Sequence, residues 1–165
     1  MSVREAPVLI ATLFIIFSVT NALADVSGRV VAVTDGDTIK VLDSSSREYK
    51  IRLTGIDAPE RGQPFGKAST KHLAGMIAGK QVKIESNKND RYGRMLGKVI
   101  FKGVDVNLEQ VKAGYAWWYE YYAKQQPIPD RKSYSEAEKA ARSKRIGLWA
   151  DSNPINPYEW RKSNK

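Results

Sequence analysis

The chain has 165 residues, 27 Lys and Arg against 18 Asp and Glu, a formal net charge of +9 and no cysteine. With 42% hydrophobic and 27% charged residues, it has the composition of one folded domain rather than of a disordered segment. The missing cysteines exclude disulfides and thiolate metal sites, the single histidine excludes a His-rich zinc or iron centre, and the positive surplus points to polyanions (nucleic acid or an anionic membrane surface) as partners.

Residues 1–24 read as a secretory signal peptide. Arg4 lies in a short polar start, Val8 to Val19 form an apolar run, and Ala22-Leu23-Ala24 supplies small residues for cleavage. The run is shorter than the roughly 20 residues a transmembrane helix needs. Cleavage near Ala24 implies an exported protein, periplasmic or released to the medium. Val26 to Val33 is β-rich and predicts a first strand, Asp35-Gly36 a tight turn, and Thr38 to Leu42 a second strand. Asp43 to Ser46 is a polar turn. Tyr49, Ile51 and Leu53 then alternate with Lys50, Arg52 and Thr54, the period of a strand with one buried face. These three strands form an antiparallel meander.

Beyond Pro59 and Pro64, the residues Phe65, Ala68, Ser69, His72, Leu73, Met76 and Ile77 follow helical spacing, with Gly79 as the stop. Gln81 to Glu85 and Met95 to Phe101 predict two more strands, joined by a polar loop from Ser86 to Arg94. Asp105 to Ala113 predicts a short helix. Ser133 with Glu136, or Ser135 with Glu138, is a capping box that opens a helix running to about Ile146. The tail holds Pro154 and Pro157 and reads as irregular. The division is thus a signal peptide over 1–24, a single domain over 25–152 and an irregular basic tail over 153–165. Five strands with a helix between the third and fourth are the order of an OB-fold-type β-barrel, so the fold class is α+β with about three helices.

Two acidic segments stand out. Asp35-Gly36-Asp37-Thr38 fits a hairpin turn by itself. Asp57-Ala58-Pro59-Glu60 directly follows the third strand, and carboxylates at two barrel ends can converge on one hard cation. Oxygen-only ligation, with a backbone carbonyl such as that of Ala58 added, favours calcium or magnesium over zinc. Arg52 faces away from Ile51 and Leu53, toward a cleft or solvent, and Arg94 ends the run Asp90-Arg91-Tyr92-Gly93-Arg94. A divalent cation and two guanidinium groups answer the charge that builds on phosphate oxygens during phosphodiester cleavage. Glu60 remains to orient or deprotonate the attacking water.

Asp-Gly-Asp-Thr, then Arg-Leu-x-x-x-Asp-x-Pro-Glu, then Asp-x-Tyr-Gly-Arg, in this order and spacing, resembles the staphylococcal nuclease (thermonuclease) family. The likeness runs from about Val30 to Trp149. It implies a calcium-dependent nuclease on an OB-type barrel, hydrolysing DNA and RNA and leaving 3′-phosphates. By motif position, Asp37 and Asp57 match the calcium carboxylates and Ala58 a residue that lends its carbonyl. Arg52 and Arg94 match the phosphate-binding arginines, and Glu60 matches the carboxylate assigned to the attacking water. Asp35 matches an acid behind the metal, Tyr92 a residue lining the site, and Tyr122 one of two pocket tyrosines; Glu120 stands where the other falls.

The segment from Trp117 to Tyr122 is either a stacking platform for unpaired bases or core filling, with Trp117 and Trp118 expected to divide between the two. From Lys124 onward there are 10 basic and 5 acidic residues, a field for phosphate. His72 reads as a helix-flank residue. The expected partners are DNA and RNA, bound without sequence specificity and with single-stranded or frayed segments favoured, by a monomer with no stable protein partner. A non-catalytic nucleic-acid-binding OB module is the alternative; it needs the barrel and the basic charge but not the carboxylates.

Overall fold

The computed structural model describes residues 25–164, and the expected signal peptide lies outside the described residues. Strands β1 (Val26–Asp35), β2 (Thr38–Asp43) and β3 (Glu48–Leu53) form the antiparallel meander. Two register shifts bend β1, so that its first half also pairs with β5 (Gln81–Asn89). β5 turns back into β6 (Met95–Phe101), and β6 runs parallel to β3, with Arg52 opposite Leu96. That pairing closes a five-stranded barrel of the OB type. Three short strands decorate it. β4 (Ile56–Asp57) pairs with β8 (Trp117–Trp118), and β7 (Val104–Asp105) extends β6.

The barrel is filled by the inward residues of each strand: Ile39, Val41, Ile51, Leu53, Ile84 and Val99 are all at or below 1% exposure. Each such side chain contributes about 1.5–3 kcal/mol by leaving water. Helix α1 (Gly66–Ile77) lays Leu73 and Ile77 over the barrel. Helix α2 (Val106–Lys112) starts at Asp105, whose carboxylate accepts from the Leu108 N–H at 3.0 Å.

Three boundaries differ from expectation. β5 continues to Asn89, so only Asp90 to Arg94 is loop; a bulge between Ser86 and Lys88 keeps the polar residues in register with Leu96 and Met95. Helix α3 (Ile128–Ser143) starts five residues before the capping box, with Pro129 in its first turn. Ser133 is therefore inside the helix, and its hydroxyl donates back to the Pro129 carbonyl at 3.0 Å. The tail is not irregular: it carries helix α4 (Pro157–Ser163), which brings the α-helices to four among the described residues. Asn156 caps it by accepting from the Tyr158 N–H at 2.9 Å, and Pro157 supplies the fixed φ of a first helical residue. Proline there opens a helix instead of preventing one. Among the described residues, no helix is long and apolar enough to cross a membrane.

Candidate active site

The turn between β1 and β2 is held from within: Asp35 Oδ1 accepts from the Asp37 N–H at 3.1 Å. Gly36 is obligatory here, because a Cβ would stand 1.8 Å from Ser69 Oγ. Asp37 is thereby turned inward. Its Oδ2 accepts from the Ala58 N–H at 2.7 Å and its Oδ1 from the Thr38 hydroxyl at 3.1 Å. One carboxylate thus joins two acidic segments 21 residues apart.

Arg52 projects from β3 on the face opposite Ile51 and Leu53. Its Nη2 lies 3.1 Å from Asp37 Oδ2 and 3.0 Å from Asp57 Oδ1. Its Nη1 donates to the carbonyls of Leu53 at 2.9 Å and Ile56 at 3.0 Å, which fixes the guanidinium plane. Asp37 and Asp57 are both buried. Burial pushes the Asp37 carboxyl up to about 7; Arg52 pulls it down, while the charges of Asp35 and Asp57 push it up again. Asp37 and Asp57 present closely spaced buried carboxylate oxygens, the donor type that a hard divalent ion takes, so the donor set fits such an ion. Among the described residues no group of three His, Asp or Glu forms a ready ligand cage. An ion here would rest on Asp37 and Asp57, completed by backbone oxygen and water.

Glu60 sits in a tight loop. Its N–H donates to Gln63 Oε1 at 3.1 Å, and its carbonyl accepts from the Gln63 N–H at 2.9 Å. Gly66 presses on this loop, since a Cβ there would lie 1.8 Å from the Glu60 carbonyl oxygen. The Glu60 carboxylate is 39% exposed and meets Arg161 Nη1 at 2.8 Å. Arg161 also forks onto Asp57, Nη1 to Oδ1 at 3.1 Å and Nη2 to Oδ2 at 2.9 Å. Burial opposes the Arg161 charge, but the bonds to Asp57 and Glu60 outweigh it and raise its pKa above the ordinary arginine value.

Arg94 is anchored differently. Asp90 accepts from the N–H groups of Tyr92 and Arg94, each at 2.9 Å, and from Arg94 Nε at 2.7 Å. Burial raises the Asp90 pKa, yet these bonds prevail and hold it below the usual carboxylate value. Arg94 is thus not tied to the acidic cluster, but it lines the same cleft. That cleft has a volume of about 1150 Å³, larger than a small-molecule pocket, and Asp35, Asp37, Arg52, Ala58 and Glu60 line it too. Tyr92 and Tyr122 are on its wall. Asp57 lies beneath, reached through Arg52 and Arg161.

The tryptophans do not divide between core and platform. Trp117 packs edge-on against Trp149 at 4.4 Å, with the Arg142 guanidinium 4.0 Å from the Trp149 ring centroid. Trp118 lies against the barrel and donates from Nε1 to Gln126 Oε1 at 3.0 Å. Neither lines the cleft; Tyr119 does, edge-on to Tyr122 at 4.9 Å. Glu120 is exposed and away from it. His72 pairs with Gln110 and lies against Tyr115, outside the cleft. Tyr119 belongs to the segment read as a stacking platform or core filling; Arg161 and Tyr158, from helix α4, line the cleft without having been assigned to it from the sequence. The available signal for these two was Asn156-Pro157, a cap followed by a first-turn proline.

Acidic oxygens disposed for a hard cation, beside guanidinium groups in an open cleft, supply what phosphodiester hydrolysis demands of a protein: positive charge where negative charge grows. Fold and cleft together define a nuclease-type hydrolase. Comparison with known proteins agrees. Residues 50–151 match the family model of staphylococcal nuclease homologues, and the chain belongs to the staphylococcal nuclease family. It is 41% identical over 160 residues to an uncharacterized endonuclease of Haemophilus influenzae, covering 96% of this chain and 86% of that one. It is 40% identical over 153 residues to a micrococcal nuclease of Shigella flexneri, covering 87% and 85%. It is 41% identical over 120 residues to a staphylococcal-like nuclease of Arabidopsis thaliana, covering 73% of this chain and 35% of the plant protein.

Proposed function

We propose that this nuclease is an exported, calcium-dependent phosphodiesterase that hydrolyses DNA and RNA without sequence preference and leaves 3′-phosphate ends. The observation that carries the reading is one nitrogen, Arg52 Nη2, held 3.1 Å from Asp37 and 3.0 Å from Asp57, in a cleft that Glu60 and Arg94 share. Asp37, Asp57 and the carbonyl of Ala58 would hold calcium, which accepts irregular oxygen ligation. Bound there, the ion supplies positive charge to a non-bridging phosphate oxygen.

The remaining work falls to side chains. Arg94 binds non-bridging oxygens through its guanidinium fork, and Arg52, whose Nη1 and Nη2 already meet two carbonyls and two carboxylates, faces the phosphate with its fixed charge and Nε; both stay charged at any working pH. Glu60, 39% exposed and facing the cleft, orients the water that attacks phosphorus or takes its proton. The bond from phosphorus to the 5′ oxygen breaks, that oxygen takes a proton from solvent water and leaves as a hydroxyl, and the phosphate stays on the 3′ side. Asp35 keeps the turn that presents Asp37. Tyr92 and Tyr122 offer faces on which any unpaired base stacks, favouring single-stranded or frayed substrates. The signal-like residues 1–24 support export to the periplasm or the medium.

The test is digestion of single-stranded DNA by the purified protein with calcium and then with a chelator. Cleavage is expected to stop on chelation. Glu60→Gln and Arg94→Ala should each lower turnover by about 10²-fold or more without loss of fold. Digestion indifferent to the chelator refutes the metal role, and near-normal rates in either variant refute the assigned residues.

A further inference from the structure

We propose that Arg161 is a third arginine of the active site, which holds Asp57 and Glu60 until a divalent cation claims Asp57 and then turns onto the phosphate of the bound nucleic acid. This rests on the metal-dependent reading above. The Arg161 fork engages both oxygens of Asp57, at 3.1 and 2.9 Å, and Glu60 at 2.8 Å. A calcium ion sits about 2.3–2.6 Å from the carboxylate oxygens it binds. Guanidinium and ion therefore claim the same oxygens, and their like charges repel at close range.

Of the two partners, Arg161 is the one able to leave. The Asp57 side chain is 2% exposed and pinned by Arg52, whereas the Arg161 side chain is 38% exposed. Its helix is seven residues long and buries only Pro157. A departing Arg161 stays in the cleft, because Tyr158 and Lys162 of the same helix line it as well. Arginine cannot shed its charge, and a phosphate offers it the same planar pair of oxygens as a carboxylate. Displacement by the cation and capture of substrate are then a single exchange of oxygen partners.

The experiment uses the full protein and the variants Arg161→Gln and Arg161→Lys, each checked for fold by circular dichroism. Calcium alone is first titrated by calorimetry. Arg161→Gln should bind it about tenfold more tightly, as expected when one like charge is removed at short range. A phosphorothioate oligothymidylate, resistant to cleavage, is then bound in calcium over a salt series. Arg161→Gln should bind more weakly, with a log–log salt slope shallower by about 0.7, the share of one phosphate contact on a single strand; Arg161→Lys should restore the slope. In the unmodified protein, nitrogen-15 NMR should show the Arg161 guanidinium signal shifting on calcium addition, a readout independent of how the variants fold. Unchanged calcium affinity, unchanged slope or an unmoved guanidinium signal each overturns the proposal. An unmodified protein that binds no calcium overturns it together with the metal-dependent reading.

Discussion

Replacing Arg52 by methionine keeps the length of the stem and removes the charge that joins the two buried acids. The side chains concerned are 13% (Arg52), 9% (Asp37) and 2% (Asp57) exposed, so water screens the loss poorly. Removing one member of a buried pair costs about 3–5 kcal/mol, because the remaining charge is left uncompensated. Arg161 still reaches Asp57, which places the expected cost near the lower end, about 3 kcal/mol. That is a large part of a domain's typical 5–15 kcal/mol. The sign of the pH effect follows from Asp37, already pushed from 3.8 to about 7. Loss of Arg52 removes the main influence pulling it down and raises it further. A carboxyl raised in the folded state loses stability as pH rises from its unfolded value through its folded one. The deficit of Arg52→Met should accordingly be smaller at pH 5 than at pH 7.5. Urea unfolding at the two pH values, followed by tryptophan fluorescence, measures both. A deficit below about 1 kcal/mol at pH 7.5, the range of an exposed pair, or a larger deficit at pH 5, would refute the argument.

Asp90→Asn should free the Arg94 side chain and lower nuclease turnover about tenfold, within the range set by a lost positioning contact; unchanged kinetics would show that Arg94 does not depend on Asp90. The Asp90 carboxyl is held below 3.8, so its contribution is present above that value and lost as pH falls through its folded pKa, and hydrogen exchange at the Tyr92 and Arg94 amides should speed up below about pH 4 relative to the intrinsic rate. Tyr134 donates to Asp105 at 2.9 and 3.1 Å from a site 1% exposed; Tyr134→Phe should cost about 1.5–3 kcal/mol in thermal unfolding, the value of a bond to a charged group, and a cost below 0.5 kcal/mol would contradict it. Gly66→Ala would drive a methyl into the Glu60 carbonyl, which cannot yield without breaking its bond from Gln63. Folding stability should fall by roughly 1–3 kcal/mol and turnover about tenfold as the Glu60 loop shifts; an enzyme with normal turnover would show that the Glu60 loop tolerates the shift.

The barrel and the acidic half of the site were readable because they depend on local rules. Period-two alternation put Ile51 and Leu53 inside and Arg52 outside, and Asp35-Gly36 marked the turn that also delivers Asp37. The fold then brought Asp37 to the Ala58 N–H, as two strand ends of one small barrel allow. What was misread depended on competition between local signals. The capping boxes at Ser133 and Ser135 are sound motifs, but Pro129 opens the helix earlier. The polar stretch from Ser86 to Asn89 has no apolar alternation, yet pairing with β6 makes it strand. Trp117 and Trp118 carry no periodic mark of which face is buried, and their placement depends on Trp149 and Gln126, far along the chain or across a turn. Arg161 illustrates the strongest limit. Its partner lies 104 residues away, and no spacing rule connects them.

That separation bears on the order of assembly. Closing so long a loop adds only slowly to the entropic cost, but contacts distant in sequence form late. The barrel can close around β3 and β6 while the last helix is still loose, so Arg52 meets its acids before Arg161 does. A chain emerging from its amino end would hold a finished scaffold, with Asp57 and Glu60 still lacking Arg161, until residues 156–163 were free to form their helix.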